Sequence, residues 1–242
     1  MRNILVTGVS RGLGLSIAKT LLADEDIHVY GISRSKSHDL NEMLRTYESR
    51  FKWMSYDLSD GIHVRDKIFK EFIGMKTPLH GFVNNAAIAY DDIVTNLNYD
   101  SLVEMYKVNV FTPMIITKYA LRHFLLHGIH GSIVHLSSIS VHTGYKGLAM
   151  YASTKGALEA FSKNTAREWG ERGIRSNALV AGFMETDMSS TLSDEQRDRI
   201  YKRTSMKQPT STDSVAATIK FLLSDAARSI TAQNINVDSG TI

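Results

Sequence analysis

Tyr151 and Lys155 stand four residues apart in Tyr151-Ala-Ser-Thr-Lys155, with the pair Ser137-Ser138 a short loop upstream. Residues four apart on a helix share a face, so a phenol and an ammonium at this spacing reach the same small volume. A free tyrosine titrates near pH ~10 and is a poor acid–base group at neutral pH. A lysine charge beside it favours the phenolate and is expected to bring that pKa towards the working range. Ser138 can then hold a substrate oxygen while Tyr151 gives or takes its proton. This chemistry suits carbonyl/alcohol redox, provided that a hydride carrier binds close by. The spacing alone arises often by chance, so the carrier site must be found elsewhere in the chain.

A candidate lies at the N-terminus. The apolar run Ile4-Leu-Val6 leads at once into Thr7-Gly8-Val-Ser10-Arg11-Gly12-Leu13-Gly14. Leu15, Ile17, Ala18, Leu21 and Leu22 then follow at helical spacing, a strand–turn–helix pattern. Glycines let the backbone approach a pyrophosphate, and the helix N-terminus offers free N–H groups and the positive end of a dipole. The spacing is G-x-x-x-G-x-G rather than G-x-G-x-x-G. It lacks the Lys-Ser/Thr of a P-loop, which argues against an NTPase.

The elements that must position these groups follow from the rest of the chain. At 242 residues it suits one large α/β domain. Hydrophobic residues at 43% and charged residues at 22% describe a globular chain. No apolar run approaches the ~20 residues of a membrane span. The first strand begins with no room for a secretory signal, and there is no cysteine for disulfides or thiolate metal sites. A cytoplasmic location is expected. A net charge of +3, spread along the chain, gives nucleic-acid binding no support. Candidate strands at 3–7, 27–33, 51–55, 81–84, 131–136, 174–180 and 234–237 alternate with helical patterns. A parallel sheet covered on both faces follows, with ligands at the carboxyl ends of its strands. The glycine turn, Asn84 and Ser138 all come after strands and so share that edge. His123, His127 and His130 have partial metal-ligand spacing, but Gly128 breaks the helix between them and no carboxylate adjoins. No metal is expected.

Taken in order and spacing, Thr7–Gly14, Asp57-Leu58, Asn84-Asn85-Ala86-Ala87, Asn109, Ser138, Tyr151/Lys155 and Gly182 through Met188 resemble the short-chain dehydrogenase/reductase family along essentially the whole chain. Ala181 through Met188, followed by Leu192 through Arg197, is most similar to 3-oxoacyl-(acyl-carrier-protein) reductases. The resemblance implies a single-domain Rossmann fold over residues 1–242, with a seven-stranded parallel sheet in the order 3-2-1-4-5-6-7. It also implies a substrate lid at about 187–212 and a homotetramer or homodimer. The catalytic serine of the family lies thirteen positions before the tyrosine, which selects Ser138 and leaves Ser137 structural. Lys155 then also holds the nicotinamide ribose, and Asn109 matches the position that anchors a relay water. Gly8, Ser10, Arg11, Gly12, Leu13, Gly14, Asp57, Leu58, Asn84, Ala86 and Thr186 fall at cofactor-contacting positions, Asp57 at the adenine and Thr186 at the nicotinamide half. Asp57 also reads as a helix cap for the pattern from Ile62 onward. Two positions depart from the family: Ala87 replaces a glycine and Ala181 a proline.

The cofactor reading turns on the end of the second strand. An NAD enzyme tends to carry an acid there for the ribose hydroxyl. Here the strand ends in Ser33-Arg34-Ser35-Lys36, with no acid before Asp39. Arg34, with Arg11 close by in the family, can pair with a 2′-phosphate. NADP(H) is expected. The activity implied is NADPH-dependent reduction of a 3-oxoacyl thioester, with Tyr151 as general acid. An acyl carrier protein would dock on basic residues near the rim of the site, Arg172 among them, although the other expected basic position is Ile129. Two alternatives stand beside this: a reductase of another small ketone, and a non-catalytic NADP-binding regulator.

Overall fold

The computed structural model describes residues 1–186 and 193–241. Seven parallel strands form one sheet in the order β3-β2-β1-β4-β5-β6-β7, as expected. They are β1 (Arg2–Thr7), β2 (Ile27–Ser33), β3 (Phe51–Ser55), β4 (Gly81–Asn84), β5 (Ser132–Ser138), β6 (Arg175–Ala181) and β7 (Asn234–Val237). Side chains alternate across a strand, and the two cores follow that parity. Ile4, Val6, Val29, Val83, Val134 and Leu179 bury on one face beneath helices α1 (Gly12–Leu22) and α8 (Thr212–Leu223). Leu5, Tyr30, Ile32, Phe82 and Ile133 bury on the other, against Ile68, Phe69, Ile116 and Phe124. The latter residues come from a π-helical segment, Arg65–Ile73, and from α4 (Thr112–His127). No helix among the described residues is long and apolar enough to cross a membrane.

Three local departures from the sequence reading bear on the site. β5 does not stop at Leu136. Ser137 and Ser138 pair with Val180 and Ala181 of β6, so both serines ride on the sheet rather than on a loop. The helix expected from Ile62 begins at Arg65 in π register. Asp60, not Asp57, accepts from the Ile62 and His63 amides ahead of it, while Asp57 closes a turn onto Ser59 N. Between α3 (Tyr99–Tyr106) and α4 the helix passes through a π turn at Lys107–Phe111 that contains Asn109. Such turns concentrate at functional sites.

The short α5 (Ser140–Thr143) follows β5 directly, and the long α6 (Ala149–Trp169) carries Tyr151 and Lys155. Of the expected lid, residues 187–192 lie outside the described residues. α7 (Asp194–Arg203) follows them, fixed at its start by a Ser193/Gln196 capping box. Of the helical histidines, His123 is buried against Phe69, with ring centroids 5.9 Å apart, and His127 Nε2 meets the Met75 carbonyl at 3.0 Å.

Candidate active site

A cavity of about 700 Å³ runs along the carboxyl ends of the strands, within the range of small-ligand sites. Its floor is the turn between β1 and α1. Gly8 and Gly12 take positive φ of 79° and 53°, which favours glycine at both. At Gly14 the requirement is space: a Cβ there would lie 1.9 Å from the Gly8 carbonyl oxygen. Arg11 caps α1 with extended backbone and no side-chain hydrogen bond to the helix. The first-turn N–H groups of α1 therefore face the cavity end without a side-chain cap. Ser10, Arg11 and Leu13 line this end with the three glycines.

The turn is stitched to the end of β4 through Thr7 and Asn85, to which the sequence reading gave no role, and through the Ala86 amide. Asn85 Nδ2 donates to Thr7 O at 2.9 Å, and the Asn85 and Ala86 amides both donate to Thr7 Oγ1 at 3.1 Å. Ala86 lines the cavity. Asn84 does not: it is 2% exposed, with its amide 3.4 Å from His135 Nδ1. The last residue of β4 turns its side chain into the sheet. His135, also missed, is held neutral by burial and by the nearby Lys155 charge, its pKa pulled down to about 3.

Beside the glycine turn Arg34, Lys36, Asp57 and Leu58 contribute to the wall, and no acid joins them from β2. The loop after β2 is tightly held. Ser37 caps α2 (His38–Thr46) by accepting from Leu40 N at 3.1 Å, and its hydroxyl donates to Ser10 O. Ser55 Oγ donates to Arg34 O at 2.8 Å. From β3, Trp53 Nε1 donates to Ser33 Oγ at 2.8 Å, and Lys36 Nζ sits 4.7 Å from the centre of its ring. Trp53 thus organises the strand end from beneath, a role invisible in the sequence because β3 is distant from this loop along the chain.

Tyr151 and Lys155 line the other end, and Thr186 lies against the glycine turn, where a Cβ on Gly12 would stand 3.7 Å from its side chain. Lys155 is 3% exposed, donates to Leu136 O at 2.8 Å, and lies 5.6 Å from the centre of the Tyr151 ring. Burial lowers its pKa to about 8. The Tyr151 pKa is not lowered as expected. Burial pushes the phenol up, and the charge of Asp91 adds to it. Enclosure outweighs the neighbouring lysine, whose own charge burial disfavours. A phenol that keeps its proton at neutral pH is in the form a general acid needs.

Ser138 Oγ accepts from Ser140 N at 3.2 Å and from Ser140 Oγ at 3.0 Å. Both bonds leave its own O–H to donate outward. Ser137, expected to be structural, donates to Glu159 and also lines the cavity, whereas Ser138 is not among the lining residues. Asn109 is 1% exposed and its amide is engaged at both ends: Oδ1 accepts from Ile88 N at 2.9 Å, and Nδ2 donates to Ile88 O and Thr154 Oγ1. Its side chain therefore ties the loop after β4 to the catalytic helix.

Arg172 requires a correction. It sits in a 3-10 turn (Gly170–Arg172) just before β6. In a parallel sheet that is the amino edge, opposite the cavity, and seven residues of strand separate the edges by roughly 20 Å. Arg172 does not rim the site of its own chain.

The sequence pattern of the family described as enoyl-(acyl carrier protein) reductase matches residues 8–241. The chain is 30% identical over 240 residues to the 3-oxoacyl-(acyl-carrier-protein) reductase FabG of Chlamydia pneumoniae, covering 99% of this chain and 96% of the relative. It is 32% identical over 251 residues to the enzyme of the same name from Staphylococcus epidermidis, covering 99% and 98%. A short-chain dehydrogenase from Burkholderia cenocepacia, solved in complex with NADP, superimposes with a TM-score of 0.89 at 27% identity, covering 99% of this chain and 97% of that one.

Proposed function

The chain belongs to the short-chain dehydrogenase/reductase family, and from that membership we propose that it is an NADP-dependent oxidoreductase that reduces a 3-oxoacyl thioester to the 3-hydroxyacyl thioester. The observation that carries the reading is one continuous cavity with cations and a glycine turn towards one end and Tyr151 with Lys155 at the other. A dinucleotide fits its residues. The Gly14 position admits no Cβ, the start of α1 has no side-chain cap, and Arg34 lies where the ribose of an adenosine would need an acid if it bore no phosphate. Gly8, Ser10, Arg11, Gly12, Leu13, Gly14, Ala86 and Thr186 would line its path, with Asp57 and Leu58 at the adenine. Bound there, NADPH supplies the hydride.

The chain's own groups do the rest. Ser138 donates a hydrogen bond to the carbonyl oxygen and polarises it, keeping its own proton. Tyr151 gives that oxygen a proton as negative charge develops. The Lys155 ammonium stabilises the phenolate left behind, which it does more strongly in a buried site than in water. Asn109 keeps the helix and the loop after β4 in register around them. Residues 193–212, the described part of the expected lid, border the substrate, and the protein works as a homotetramer or homodimer. An acyl carrier protein is the proposed carrier of the substrate, and Arg172, at the opposite sheet edge, does not dock it at this chain's own cavity.

The names of the relatives support a thioester substrate, whereas the family description names reduction of a carbon–carbon double bond. Two oxygen-bound donors, Ser138 and Tyr151, favour the carbonyl. The initial rate of NADPH oxidation is the test, measured with acetoacetyl and crotonyl thioesters on coenzyme A and on acyl carrier protein, with NADH in parallel. Fast acetoacetyl turnover with NADPH preferred is the expected result. Turnover of the crotonyl thioester alone, or none on any thioester despite tight NADPH binding, overturns the substrate; a preference for NADH overturns the role given to Arg34.

A further inference from the structure

One buried acid has no part in the chemistry above. Glu159 lies on α6 one helical step beyond Lys155 and two beyond Tyr151, on the same face, and is 6% exposed. Three other elements converge on it. Ser137 of β5 donates to Oε1, His142 of α5 places Nε2 3.0 Å from the same oxygen, and Asn234 of β7 donates to Oε2 at 2.5 Å. With the carboxylate accepting from each, His142 carries its proton on Nε2. An apolar residue at this position would pack β5 against α6 without the desolvation that a buried acid entails.

Two of the three partners are neighbours of the catalytic serine. Ser137 precedes Ser138 in the strand. His142 belongs to the turn of helix opened by Ser140, whose N–H and hydroxyl both bond to Ser138 Oγ. Glu159 itself is fixed to the helix that carries Tyr151 and Lys155. We propose that Glu159 is a positioning residue: by holding Ser137 and His142 it fixes Ser138 Oγ relative to the Tyr151 hydroxyl, so that both meet one substrate oxygen. This rests on the reading of Ser138 and Tyr151 as joint partners of a carbonyl. Misplacement of a reacting group by about 1 Å can lower a rate ~100-fold, so a loosened hub acts on turnover before it acts on binding.

The experiment pairs Glu159→Gln, which keeps volume but turns an amide donor towards other donors, with His142→Leu and His142→Gln. Steady-state kinetics use whichever ketone the parent enzyme turns over. For Glu159→Gln the expected result is a kcat at least about tenfold lower, with ketone KM and NADPH Kd within about twofold of the parent. His142→Leu lowers kcat in the same sense, and His142→Gln, which keeps a donor, restores most of it. Amide hydrogen exchange over residues 138–143 of the cofactor-free protein is expected to speed up in Glu159→Gln. The proposal fails if kcat stays within about twofold of the parent, if kcat falls only in step with NADPH affinity, or if exchange over 138–143 is unchanged. A parent inactive on every ketone refutes the proposed reaction instead, and the exchange measurement then decides the positioning role alone.

Discussion

Replacing Lys155 by methionine is expected to stabilise the ligand-free protein while ending its turnover. Burial lowers the lysine pKa from 10.5 to about 8. At about 1.36 kcal/mol per unit, holding the charge in the native state at neutral pH costs about 3 kcal/mol. Methionine fills a similar space, but leaves Leu136 O without its donor, a loss of about 1 kcal/mol. The net gain is about 2 kcal/mol. Its pH dependence has a definite sign. Below about pH 8 both folded and unfolded chains carry the proton, and the penalty is fully present. Between about 8 and 10.5 the unfolded chain holds more protons than the native one, so the stability of the parent rises with pH and the advantage of the variant fades. Urea unfolding followed by far-ultraviolet circular dichroism, without cofactor, at about pH 7 and about pH 10, measures the gap for both proteins. Other titrating groups cancel in the difference. A methionine variant no more stable than the parent near pH 7, or one with the same gap at both values, refutes the view that Lys155 is held in place at an energetic cost.

Tyr151→Phe is expected to lower kcat by ~10²–10⁴-fold while fluorescence titration finds NADPH affinity unchanged; retained turnover would remove Tyr151 as the acid. Arg34→Ala removes a charge-assisted hydrogen bond of about 1.5–3 kcal/mol, so the KM for NADPH should rise ~10–100-fold with that for NADH unaltered. Equal effects on the two cofactors would make Arg34 a solvated surface charge. At Gly182 a Cβ would lie 2.2 Å from Thr210 Oγ1 and 2.6 Å from Asp238 Cα. Gly182→Ala should therefore lower stability by about 2 kcal/mol, read as a drop of several degrees in the thermal midpoint.

The fold was legible because short apolar runs bounded by turn residues recur between helical patterns, and β2, β3, β4 and β7 fall on the residues read from the sequence. The end of β5 was not, since Ser137 and Ser138 carry no apolar signal and are recruited by pairing with β6. The π turn at Asn109 was equally hidden, because its apolar neighbours keep a helical spacing whichever carbonyl their amides reach. Spacing put Lys155 beside Tyr151, but the direction of the phenol's pKa depends on enclosure, and that comes from elements far along the chain. Asn84 and Asn85 differ only by which way a strand end turns, which a four-residue strand leaves undecided. Arg172 is a different case. Its place before a parallel strand was readable as the wrong edge for the cavity, and strand polarity should have outweighed the family position.

Trp53 gives the cofactor site an optical gauge. The chain has two tryptophans, and the other, Trp169, closes the last turn of α6. The Trp53 indole is bonded to Ser33 and carries the Lys36 ammonium above its ring, and both partners line the cavity. An anion that draws Lys36 off the ring changes the field on one fluorophore and leaves the other unaffected. With Trp169 replaced by phenylalanine, emission from Trp53 alone would register phosphate at this end of the cavity without any substrate being turned over.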